Sequence, residues 1–153
     1  MLYASMALVL MACSKNKDSV GTADNSWTLG NTSYKASTVV YISSGGEANL
    51  AASAAGSSTT SANGLVFAFN TPPTSSGQML ITDSDEPNTV MIGVSKLSGT
   101  TTTFYMNSTT NVNANVTVNN GKVGISFPGK IWVYNVSDVS DSAQLSIGTI
   151  TQQ

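Results

Sequence analysis

Between Val112 and Val118 the chain alternates strictly, with Val112, Ala114, Val116 and Val118 separated by Asn113, Asn115 and Thr117. Period two places one set of side chains on each face of a strand, so this stretch folds as a β-strand with one wet face. Asn120-Gly121 follows at once, the pair suited to the positive φ angles of a type I′ hairpin turn, and Val123, Ile125 and Phe127 resume the alternation. The same grammar recurs along the chain. Leu65, Phe67 and Phe69 share a face, as do Val90, Ile92 and Val94. Asn63-Gly64, Ser98-Gly99 and Pro128-Gly129 read as turns, with Asn63-Gly64 a second type I′ signal and Pro128-Gly129 fitting the middle of a type II turn. Thr71-Pro72-Pro73-Thr74 breaks the pattern, because proline cannot donate to a ladder.

Strands are expected at 27–29, 34–42, 49–55, 65–69, 78–82, 90–97, 102–106, 112–118, 123–127, 131–136 and 145–151. The stretch at 49–55 is weak because alanine leaves little side chain to pack, and a helical turn over Ala48 to Ala55 is the alternative there. No amphipathic helix and no fixed-period repeat occurs. The fold expected is all-β: a single antiparallel β-sandwich, meander-rich and Ig-like or jelly-roll-like, with a small β-barrel as the alternative.

Only 9% of the 153 residues are charged and the net charge is −2. Binding to nucleic acid depends on clustered Lys and Arg meeting phosphates, and this composition excludes it. The polar residues are mainly Ser, Thr and Asn, which favour strands and turns and suit an exported surface. Low charge also removes one protection of strand edges against pairing. There is no histidine, so no Ser-His-Asp or Cys-His arrangement and no imidazole metal site can form. No nucleophile elbow and no phosphate-binding glycine loop occurs. The expectation is a protein that is not an enzyme and uses no cofactor.

The N-terminus supplies an address. An apolar run, Met6-Ala7-Leu8-Val9-Leu10-Met11-Ala12, ends at Cys13, the only cysteine, and Ser14-Lys15-Asn16-Lys17-Asp18 follows. The run is too short for a spanning helix, which needs roughly 20 apolar residues. Leu10-Met11-Ala12-Cys13 resembles a bacterial lipobox. That resemblance implies a signal peptide over 1–12, removed in the mature chain. It also implies lipidation at Cys13. Residues 13–26 then form a tether of about 20 Å as a random coil, and 27–153 form the β domain. The membrane is thereby a partner through acyl chains.

The wider pattern is similar to small lipoproteins of Bacteroidota. It rests on that lipobox with its Cys-Ser-Lys start, the opening Trp27-Thr28-Leu29-Gly30-Asn31-Thr32-Ser33-Tyr34, and the closing Gly121-Lys122-Val123-Gly124-Ile125-Ser126-Phe127 with a last strand pair. The resemblance implies a β-sandwich anchored in the cell envelope, on the outer membrane, and no established activity. Asp18-Ser19-Val20 and Asp141-Ser142-Ala143 resemble the short O-glycosylation sequon of the same phylum, with an ordinary Asp-Ser turn as the alternative.

Three candidate sites stand out in the domain. Trp132 and Tyr134 lie two apart and so share a face. Core packing is the expected role, as it is for Trp27 and Tyr34; if exposed, the pair could stack on a sugar ring. Asp83, Asp85 and Glu86 could offer oxygen ligands to calcium, although Pro87 and Asn88 favour a solvated hairpin tip. Asp138 and Asp141 mark a second acidic loop. The functional expectation is a non-catalytic binding module for a glycan or an envelope protein. The alternatives are a structural, adhesin-type component assembling through strand edges, and a barrel-type carrier of a small apolar ligand. The carrier needs a cavity lined by residues such as Phe67, Phe69, Ile92 and Val116.

Overall fold

The computed structural model describes residues 24–55 and 63–153. The signal-peptide and Cys13 expectations, the tether up to residue 23 and the Asp18-Ser19-Val20 sequon lie outside the described residues. Within them every regular element is a strand: β1 Ser26–Leu29, β2 Thr32–Ser44, β3 Glu47–Ala54, β4 Gly64–Phe69, β5 Gly77–Ile81, β6 Thr89–Ser98, β7 Thr101–Asn107, β8 Asn113–Asn119, β9 Lys122–Ser126, β10 Ile131–Asn135, β11 Asp138–Ile147 and β12 Ile150–Thr151. The all-β expectation is met.

The twelve strands make one continuous sheet in the order β12-β9-β8-β5-β6-β4-β3-β2-β1-β11-β10-β7, and β7 pairs back onto β6. From β6 through β4, β3, β2, β1, β11, β10 and β7 the ladders are antiparallel and return to β6. The strands β5, β8, β9 and β12 branch from this cycle at β6 through a parallel ladder, Leu80↔Thr89 and Ile81↔Val90. That parallel pair is the departure from the purely antiparallel arrangement that the hairpin signals suggested.

Register accounts for the core. Leu50 opposes Phe67, and Phe67 opposes Ile92. Leu65 opposes Val94, which opposes Tyr105. These side chains all point to the inner face and are buried. The branch contributes Met79, Ala114, Val116, Val123, Ile125 and Ile150 to the same core cluster. Its far end returns to the cycle, where the Gln153 amide donates to the Val39 carbonyl at 3.2 Å. Phe67, Phe69, Ile92 and Val116 are core residues packed among other side chains.

At the entry of the domain, Trp27 and Tyr34 stack with ring centroids 5.3 Å apart. Among the described residues the buried Trp27 indole N–H has no hydrogen-bond partner. An unpaired donor costs about 1–3 kcal/mol, which the apolar burial of the ring and its stacking offset.

Two local readings are corrected. Ala48 to Ala55 is not a helical turn, because β3 runs from Glu47 to Ala54. Its small side chains fit there because Ala48 and Ala52 face the bulkier Phe69 and Leu65 across the ladder. Asn63-Gly64 is not a type I′ turn. Neither residue has positive φ, Gly64 opens β4, and the Asn63 Oδ1 accepts the Leu97 amide at 2.8 Å. By contrast Asn120 (φ 50°) and Gly121 (φ 75°) form the expected I′ pair, and Gly129 (φ 72°) occupies the positive-φ corner of its turn.

Candidate functional site

Alternation along β10 sends Ile131 and Val133 into the core and turns Trp132 outward. Trp132 is 50% exposed, so the core expectation for it is overturned; Tyr134 is half-buried on the same face. The ladder between β10 and β7 covers Val133 to Asn135 against Asn107 to Tyr105 and goes no further. Beyond Asn107 the chain leaves β7 to feed β8. The wedge left between the diverging segments is a recess of about 270 Å³, lined by Ser108, Thr109, Thr110, Lys130, Trp132 and Tyr134 with Val112 and Ile131.

The polar wall is held in place from behind. Thr110 Oγ1 donates to the Ile81 carbonyl at 2.8 Å, and its amide donates to the same carbonyl at 3.2 Å. Thr109 Oγ1 donates to Asp83 Oδ1 at 2.7 Å. That bond, followed by one from a backbone amide, holds the Asp83 carboxyl below its ordinary value of 3.8, so it stays an acceptor at neutral pH. The segment that carries Lys130, Trp132 and Tyr134 on one side and the 108–110 segment on the other form an amphipathic cleft. Such a cleft can take a ring with one apolar face and hydroxyls at its edge.

Asp83, Asp85 and Glu86 sit on the exposed 83–88 connection, where Asn88 adopts φ 60°. Asn70 Nδ2 pins this connection, donating to the Ser84 carbonyl at 2.7 Å and to Thr89 Oγ1 at 2.8 Å. Among the described residues no three His, Cys, Asp or Glu side chains come together as a metal-holding group. Asp83 instead supports the recess through Thr109.

Asp138 and Asp141 do not form a loop, because both lie on β11; the turn is at Val136-Ser137. Asp138 Oδ1 accepts from the Ser140 hydroxyl and amide, which lowers its pKa. Asp141 Oδ2 accepts from Tyr105 Oη at 3.1 Å and from Asn135 Nδ2 at 3.0 Å. The Asp141-Ser142-Ala143 sequon is therefore strand, with Ser142 opposite Tyr134.

A second recess escaped the sequence reading. It lies on the outer face of β4, β6 and β7 and is lined by Val66, Met91, Gly93, Phe104, Met106 and Val136 among others. The available signal was that β4 carries apolar residues at both periods, with Val66 and Ala68 between Leu65, Phe67 and Phe69. No protein-family model, curated protein or solved structure matches this chain.

Proposed function

We propose that this protein is a non-catalytic binding module of the cell envelope, anchored through Cys13, that receives a sugar ring in the recess beside Trp132 and Tyr134. The exposure of Trp132 beside a concave, hydroxyl-lined wall carries the reading. A large aromatic surface left in water gives up burial that a bound ring restores. The walls are preorganised by the Thr109 and Thr110 bonds, which reduces the entropy lost on binding. The absence of histidine and of a nucleophile motif fits binding without turnover.

The test is a panel of soluble oligosaccharides titrated against the purified domain and its Trp132→Ala variant. Saturable binding by the wild type, weakened at least tenfold in the variant at unchanged thermal midpoint, is expected. Silence across the panel, or equal binding by both, contradicts the reading. Metabolic labelling with an alkynyl palmitate tests the anchor separately: label on the wild type and none on Cys13→Ala is expected.

A second reading, self-assembly through the outer sheet surface, is favoured by Val40 and Ile42, which are 44% and 63% exposed on β2. A species that stays monomeric at high concentration counts against it.

A further inference from the structure

Gly93 sits in the interior of β6, between Val66 of β4 and Met106 of β7. Nothing among the described residues requires glycine there. Its φ lies outside the left-handed region, and a Cβ built on it meets nothing within 4 Å. Glycine weakens a strand interior and is often found where a ligand or another backbone approaches closely. The missing side chain leaves open the floor of a recess of about 340 Å³.

The walls match the floor. Phe104 is 56% exposed, Val136 53% and Val66 38%. Met91 and Met106 add two thioethers, which adapt in shape and contact aromatic rings favourably. Among the described residues no charged side chain lines the recess. Tyr105 borders it only from within the strand, because its side chain points to the inner face and its hydroxyl donates to Asp141. One wall is fixed, because the Val136 amide donates to the Phe104 carbonyl at 3.0 Å. The volume falls at the lower end of small-molecule pockets, about 300–1,000 Å³. A stable protein interface covers about 800 Å² on each partner, far more than one recess of this size supplies. From this geometry we infer that the outer face of β4, β6 and β7 is a binding site for a small, uncharged aromatic molecule of one or two rings, seated over Gly93. The site is separate from the Trp132 recess and does not depend on the sugar-binding reading.

The probe is the neutral fluorophore N-phenyl-1-naphthylamine, titrated against the wild type and three variants. Gly93→Val fills the floor with a strand-favouring side chain. It is expected to bind the probe at least tenfold more weakly while melting no lower than the wild type. Phe104→Ser removes a wall and is also expected to weaken binding at least tenfold. Val139→Ser, at a position 76% exposed outside the recess, leaves binding unchanged. Trp132→Ala leaves it unchanged too, which separates this site from the other. Absence of saturable one-to-one binding by the wild type, or equal affinity of the wild type and Gly93→Val, overturns the inference. If Gly93→Val does not fold, unweakened binding by Phe104→Ser overturns it alone. A dimer that Gly93→Val abolishes, with no probe binding, would assign the face to a second copy of the chain instead.

Discussion

Asn107 is buried on β7 at the point where β6 changes partner. The β6 edge pairs with β5 as far as Val90 and with β7 from Gly93 onward. The Ile92 amide falls in the gap, and Asn107 Oδ1 accepts it at 2.6 Å, while Nδ2 donates to the Ser108 carbonyl at 2.9 Å. One side chain thus completes the ladder at the fork. Asn107→Ala leaves a buried amide unpaired, and we expect a loss of about 1–3 kcal/mol in urea denaturation. Nearby, burial and then the bond to Asp141 raise the Tyr105 hydroxyl above its ordinary value of 10.0. The neutral phenol is the form the fold favours. Its contribution is complete below pH 10 and is lost as pH rises through the higher folded value, because the unfolded chain ionises first. Urea midpoints measured above pH 10 should therefore fall more steeply for the wild type than for Tyr105→Phe.

At the scale of the strand and turn, the hairpin β8–β9 depends on its corner. Gly121 holds φ 75° in the I′ turn, a conformation that costs an L-residue about 1–2 kcal/mol. Gly121→Ala should lower stability by about that amount. Gly77→Ala is the control, since Gly77 has no positive φ and open space around its Cβ position; its thermal midpoint should stay close to that of the wild type. This hairpin was legible in the sequence because a two-residue turn and its flanking alternation are local. The strand β3 was only half legible. Its alanines show no large apolar period of their own, and they pack because Phe69 and Leu65 fill the space from β4. The start of β11 was missed because Asp138 to Ser142 are all exposed, so no buried period marks them.

For the whole molecule, the β class was visible in the alternation, whereas the path of the sheet was not. Returning β7 onto β6 depends on pairings between segments far apart in the chain, β1 with β11 and β10 with β7, and periodicity carries no information about such partners. The candidate site was legible to the same extent. Two aromatics on one face of β10 could be read directly. Which face looked outward was set by Ile131 and Val133 docking against β11 and β7, opposite Leu145 and Asn107.

That outward placement is open to direct measurement, because the chain has two tryptophans, one 1% and the other 50% exposed. Acrylamide quenching of intrinsic fluorescence should resolve two populations, Trp132 accessible and Trp27 shielded, with the accessible one removed in Trp132→Phe and covered by any saccharide that binds. A single uniformly quenched population, or a Trp132→Phe variant quenched as strongly as the wild type, would contradict the placement on which the binding account stands.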